Sequence, residues 1–281
     1  MTPRTDAHIH LFDPGYLPDQ IISEVDAYEQ LRARHDIRAA LVVGYEAEER
    51  FARNNAHILR LSAERRWIRP LAYVAASVPP IPGVLTQLLD RGFVGWATYL
   101  PESGPSLGEW PDAVVEELAF ASGLLSINGT PAALARAEGV LGRLTTRPIL
   151  ISHLGCPAHA VASHGLAGLA PVLNLAQRPN ILIKLSGLYA IDPVYPHVGA
   201  EDVVSAVVSA AGADRVVWGS DFTPALTCLS DEQLMVLPPW LASAFTVVEL
   251  EQVLHETLDR LLGDHATDRT ANHHAAAAPP P

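Results

Sequence analysis

The 281-residue sequence predicts a single (β/α)8 TIM barrel, an α/β fold in which eight parallel strands are each followed by a helix. Three observations carry this expectation. Short apolar segments alternate with longer segments of helical periodicity from end to end, as parallel βα units require. There are eight such apolar segments, and the length is close to that of one eight-fold barrel. Hydrophobic residues make up 49% of the chain, enough to fill the large core such a barrel buries.

The first strand, 6–11, reads DAHIHL and mixes polar with apolar side chains. The next three, 37–44 (IRAALVVG), 68–75 (IRPLAYVA) and 92–99 (GFVGWATY), are the apolar runs expected of strands covered on both faces. The remaining four are expected at 124–128 (LLSIN), 148–153 (PILISH), 181–186 (ILIKLS) and 215–220 (RVVWGS). Helical periodicity covers 19–34, 51–66, 82–90, 112–122, 131–145, 165–177 and 201–211, with a closing helix near 247–262. Thr130-Pro131 reads as an N-cap followed by proline at the first helical position. The barrel is expected to span residues 1–263. Beyond it, 264–281 (DHATDRTANHHAAAAPPP) is a low-complexity tail expected to be disordered, and its His273 and His274 read as solvated rather than metal-binding.

Composition excludes several classes of function. A formal charge of −12 without a basic stripe argues against nucleic-acid binding, so a small-molecule substrate is expected as partner. No apolar run reaches the length of a membrane span, and the first six residues have neither the basic start nor the apolar stretch of a leader. Cys156 and Cys228 give no disulfide framework and fit a reducing, cytoplasmic setting. The charge leaves a homo-oligomer open. One count is sharper: of nineteen basic residues, Lys184 is the only lysine, and it lies inside the apolar run 181–187. A charge there is costly unless it has a partner or a task.

In such a barrel the chemistry sits at the carboxyl ends of the strands, while the opposite face serves stability. The polar residues at those ends form a set. Strand one ends in His8-Ile9-His10, whose alternation turns both imidazoles to one side and places Asp6 with them. Strand six ends in His153, strand seven carries Lys184 in phase with Ser186, and strand eight leads into Asp221. Two imidazoles and a carboxylate form a nitrogen and oxygen donor set that suits a divalent metal such as zinc. A carboxylate beside an activated water can serve as general base, while lysine and histidine can stabilise an oxyanion. Each feature alone has a structural explanation: a chance HxH, a helix-capping Asp221, a satisfied buried His153, an ion-paired Lys184. Their convergence at one end of one barrel favours an active site.

Four segments, 6–14 (DAHIHLFDP), 151–157 (ISHLGCP), 183–189 (IKLSGLY) and 216–222 (VVWGSDF), resemble the amidohydrolase-related family. The nearest branch is that of pyrone-dicarboxylate lactonase and the sugar-acid lactonases, and the likeness runs from residue 6 to about 262. The resemblance implies attack by water on a lactone or similar carbonyl. By motif, His8, His10 and Asp221 would bind one divalent metal, zinc or manganese, or His8 and His10 would polarise the carbonyl directly, since members of this branch differ in needing metal. Asp221 would activate water, and His153 and Lys184 would orient substrate or stabilise the oxyanion. Two departures stand out. The histidine that the wider superfamily often has after strand five is replaced by Asn128-Gly129, and the branch's Gly-x-Arg on strand four reads Gly95-Trp96-Ala97.

The loops after the strands hold one arginine, Arg50, but many aromatics: Phe12, Tyr16, Tyr45, Tyr99, Trp110, Tyr189, Tyr195, Phe222 and Trp240. A dicarboxylate would call for guanidinium clamps there. The expected substrate is therefore neutral or weakly anionic and contains a ring, with Tyr99, Asn128, Tyr189 and Phe222 as its contacts. The long segment 221–243 is the expected lid. A metal-dependent non-oxidative decarboxylase of the same family is the second reading, and a non-catalytic barrel the third.

Overall fold

In the computed structural model, which describes residues 2–18 and 21–263, eight parallel strands pair in chain order from β1 to β8. They are β1 (Arg4–Ile9), β2 (Ile37–Val43), β3 (Ile68–Tyr73), β4 (Gly95–Tyr99), β5 (Leu124–Asn128), β6 (Ile149–Ile151), β7 (Ile181–Leu185) and β8 (Val216–Trp218). Every predicted strand is present. The tail, 264–281, lies outside the described residues.

Side chains alternate between the two faces of the sheet. Leu41, Val43, Leu71, Ala97, Leu124, Leu150, Leu182 and Val217 pack together as the barrel's filling. The intervening residues, among them Val42, Ile68, Trp96, Ile127 and Ile183, join the layer beneath the helices. The main outer helices are Glu24–Arg34, Asn54–Glu64, Val84–Asp90, Asp112–Phe120, Pro131–Leu141, Ala170–Ala176 and Glu201–Ala211. Thr130 caps its helix through its side chain, with Pro131 at the first turn, as its sequence indicates. The closing helix, from Val247 through a π-helical turn at Gln252–Glu256 and on to 263, turns Leu258 against the interior filling and plugs the bottom of the barrel.

The seam between β8 and β1 is not a regular ladder. A single bridge joins Ile9 to Phe222 there. The Asp6 carboxylate does much of the joining: Oδ1 accepts from the His8 N–H at 3.0 Å and the Ser220 N–H at 2.9 Å. Its Oδ2 accepts from the Tyr28 hydroxyl, on the first outer helix, at 2.9 Å. This corrects the expected placement of Asp6 beside the two histidines. The register of β1 shifts between Asp6 and Ile9, so Ala7 and His8 both face inward and Asp6 turns into the seam.

The segment 221–243 also departs from expectation. Leu234, Met235 and Leu241 are buried, Arg4 on β1 donates to the Met235 carbonyl, and Arg34 reaches Asp231 at 3.6 Å. Trp240 Nε1 is fixed to the Pro196 carbonyl at 2.7 Å. The segment is therefore a wall packed on the outside of the barrel rather than a lid.

Asp6→Ala is expected to strand two buried backbone N–H groups and the Tyr28 hydroxyl, at a cost of about 2–5 kcal/mol. The urea denaturation midpoint measures it. An unchanged midpoint would mean that the seam is held by other contacts.

Candidate active site

Where β1 leaves the sheet, His8 and His10 approach each other with 3.1 Å between their Nε2 atoms. His10 is oriented from behind, its Nδ1–H donating to the Val43 carbonyl at 2.8 Å, which leaves the Nε2 lone pair facing the mouth. Asp221 comes across the seam, its N–H donating to the His8 carbonyl at 2.8 Å and its Oδ1 lying 3.7 Å from His8 Nε2. Gly219 allows this approach, because a Cβ there would come within 3.0 Å of His8. His8, His10 and Asp221 are all buried, and their donor atoms lie within 4.8 Å of one another. Two nitrogens and one oxygen at that spacing, with an acceptor behind His10, fit one divalent cation.

His153 follows β6 in a tight turn. Its backbone is left-handed (φ 53°), as is that of Asp221 (φ 62°). Such conformations cost about 1–3 kcal/mol each and persist only where the surroundings fix them. The His153 ring lies 4.4 Å from that of His8, its Nδ1 is 3.0 Å from Ser186 Oγ, and Gly187 closes over it. Gly187 has φ 68°, and a Cβ on it would stand 2.8 Å from the His153 ring, so this position needs glycine twice over. Two residues on, the Tyr189 hydroxyl donates to Asp221 Oδ2 at 2.6 Å.

Lys184 lies deeper than its expected place beside the substrate. It is fully buried, with Nζ 2.7 Å from Ser126 Oγ and 3.2 Å from His8 Nδ1, and Ser152 Oγ lies 3.3 Å from the same nitrogen. It therefore touches His8 from below and does not line the mouth. Burial pushes the Lys184 ammonium down to about 7, against the pull of Asp6 and Asp221. Burial also pushes His10 down to about 4 and His153 to about 3, the latter aided by Lys184, and holds His8 well below its ordinary value. The Asp221 carboxyl is raised by burial to about 6, although His10, Tyr189 and Lys184 favour its charged form. The imidazoles are neutral near pH 7, free to bind metal or donate hydrogen bonds, and the carboxylate is available as a base.

Above these groups the mouth is aromatic. Tyr45, Tyr73 and Tyr99 form a cluster with ring separations of 4.9–6.0 Å, and the Tyr99 hydroxyl lies 3.4 Å from His10 Nε2. Phe12 stacks on His10 at 5.4 Å and on Phe51 at 3.9 Å, with Tyr16 beyond. Asn128 pairs in register with Tyr99 and accepts from the Cys156 thiol at 3.3 Å. Arg50, in the loop after β2, lies over Phe51 and Tyr16 with its Nε 2.9 Å from Glu48, and Arg53, which the sequence placed in the following helix, ends the same loop as an exposed residue. Phe222 is a correction. It is fully buried against Tyr28 at 5.2 Å on the outer side of the sheet, where it bridges to Ile9 and faces away from the neighbouring Asp221. Trp110 is likewise a core residue, bonded to the Ala76 carbonyl at 2.8 Å.

The sequence reading missed Tyr73, Ser126 and Ser152. Tyr73 is two residues beyond the inward Leu71, and Ser126 two beyond the inward Leu124, so strand period could have found them. Ser152 carried a similar signal, two residues beyond Leu150.

Comparison with known proteins gives the family and the fold. The chain is 28% identical over 243 residues to L-fucono-1,5-lactonase of Burkholderia ambifaria, covering 79% of this chain and 81% of that one. Its fold matches the crystal structure of a probable 2-pyrone-4,6-dicarboxylic acid hydrolase from Acinetobacter baumannii with citric acid bound. That match has a TM-score of 0.74 at 17% identity, over 94% of this chain and all of that one (100%). It also matches an amidohydrolase from Burkholderia multivorans with bound zinc (TM-score 0.71, 20% identity, 92% of this chain and 98% of that one). Residues 5–263 match the amidohydrolase family, and the chain belongs to it.

Proposed function

We propose that this amidohydrolase opens a lactone ring by attack of water on its carbonyl carbon, at the site formed by His8, His10, Asp221 and His153. The observation that carries the reading is the buried His8–His10–Asp221 triangle, whose carboxyl is raised by burial to about 6 and can serve as the base. The likeness to a fucono-lactonase supports the lactone as substrate.

Asp221 accepts the proton of the attacking water. His153, seated by Ser186 and Gly187, faces Asp221 with Nδ1 3.9 Å from Oδ2 and orients the substrate beside it. His8 donates to the carbonyl oxygen through Nε2–H, His10 turns its Nε2 lone pair to the same space, and Lys184, Ser126 and Ser152 fix the His8 ring from below. His8, His10 and Asp221 are also the residues that would hold a zinc or manganese ion, which when bound would supply Lewis-acid polarisation of the carbonyl. The substrate is neutral or weakly anionic and carries a ring. The mouth offers tyrosine faces and hydroxyls, Arg50 is already engaged by Glu48, and Glu46 adds a half-buried carboxyl beside Tyr73. A decarboxylase, the second reading, gains no specific support from this arrangement.

Three outcomes are expected. Purified protein hydrolyses members of a panel of lactones and aryl esters, and Asp221→Asn lowers kcat/KM by about 10²–10⁴-fold. Native turnover equal to that of Asp221→Asn would remove the carboxylate from the mechanism. Assays with and without chelator show whether metal is required. In the metal-free protein kcat/KM rises with pH through about 6, because the carboxylate is the active form and the neutral histidines, at about 3 and 4, add no limb there. Loading with zinc moves that rise to lower pH, since a cation favours the charged carboxylate. Neutral δ-lactones exceed a pyrone dicarboxylate in kcat/KM by about tenfold or more. The reverse order would contradict the aromatic, clamp-free mouth.

A further inference from the structure

The bond between Tyr189 and Asp221 suggests how the lactone ring oxygen departs. As that carbon–oxygen bond breaks, the leaving oxygen of an aliphatic lactone becomes an alkoxide, a poor leaving group unless it is protonated in the same step. Asp221 holds the water proton at that moment but also faces the cation position with Oδ1, 3.7 Å from His8 Nε2. Its other oxygen, Oδ2, is bound by the Tyr189 hydroxyl at 2.6 Å. Among the described residues no other hydroxyl bonds to this carboxylate. Tyr189 is half-buried on the short helix Leu188–Ile191, directly after the Ser186-Gly187 pair that seats His153, so one four-residue stretch serves both His153 and Asp221.

We propose that Tyr189 is the general acid of the reaction, passing a proton to the departing ring oxygen and recovering one from Asp221. The inference rests on the lactone-hydrolysis reading. The steps balance. Water forms the new carbon–oxygen bond and gives one proton to Asp221 Oδ2. The hydrogen bond between the two residues then reverses: the protonated carboxyl donates to the phenol oxygen, and the phenolic hydrogen turns to the leaving oxygen. The ring bond breaks, its electron pair stays on that oxygen, and the Tyr189 proton neutralises it. The Asp221 proton moves to the Tyr189 oxygen, and both residues return to their starting forms. No oxidant, reductant or further reactant is consumed.

The role is distinct from holding substrate, which would appear in KM, and from merely fixing Asp221, which would slow all substrates alike. The test compares Tyr189→Phe with native protein on two neutral δ-lactones, one aliphatic, which releases an alcohol, and one benzo-fused, which releases a phenol. The expected result is a fall in kcat of about 100-fold or more on the aliphatic lactone and less than about fivefold on the benzo-fused one, with KM little changed. Equal losses on both, or a change confined to KM, would overturn the proposal and leave lactone hydrolysis standing. If the native protein turns over neither lactone, the hydrolase reading itself fails and this one with it. A second measurement needs no variant: across esters and lactones of rising leaving-group pKa, native kcat is expected to stay nearly level. A steep decline with leaving-group basicity would count against protonated departure.

Discussion

The site depends on one carboxylate that does no chemistry. A barrel closes only if its last strand meets its first, and here a single bridge joins Ile9 of β1 to Phe222, just beyond β8. Asp6 spans that gap by accepting the backbone N–H of His8 and of Ser220 on the same oxygen. Those two residues are His8 itself and the neighbour of Asp221, so the seam and the catalytic triangle are held by one group. Tyr28 holds the other oxygen and ties the arrangement to the first outer helix. Burial raises the Asp6 carboxyl to about 6 even with these hydrogen bonds opposing it. A carboxylate buried at such a cost is kept because apolar residues could not position two backbone groups at once.

Burial likewise gives the site its electrostatics. His8, His10, His153, Lys184 and Asp221 lie together in one largely buried cluster, and burial moves each away from its ordinary pKa in the direction that suppresses charge. The neutral imidazoles retain lone pairs and N–H groups for a cation or a carbonyl oxygen. Strain accompanies them. His153 and Asp221 both hold left-handed backbone conformations, one following β6 and the other β8, and each is locked by a neighbour: Gly187 against the first ring, Tyr189 on the second carboxylate.

Strand positions and the inward direction of His8, His10 and Lys184 were legible in the sequence, because period-two alternation and strand ends dictate them. Asp6 was misread because alternation assumes an unbroken strand and the register of β1 shifts between Asp6 and Ile9. Phe222 was misread because it was taken for a loop residue at the mouth, whereas it bridges to Ile9 and turns away from Asp221. Lys184 was found by its rarity, yet its buried partners, Ser126 on β5 and His8 on β1, come from two other strands. Segment 221–243 read as a lid because it is long and proline-rich. Its anchors, Arg4 and Pro196, are distant in sequence and leave no local signal.

The central claim is that substrate chemistry occurs over His8, His10 and Asp221 with the ring of the substrate against tyrosines. A crystal structure with an unreactive lactam analogue of a neutral δ-lactone tests it most directly. The account predicts the amide oxygen within about 3 Å of His8 Nε2, or of a cation bound to His8 and His10. It also places the ring against Tyr45, Tyr73 and Tyr99, with the ring nitrogen directed to the Tyr189 side. An analogue bound elsewhere, or one whose carbonyl points away from the two histidines, would contradict it.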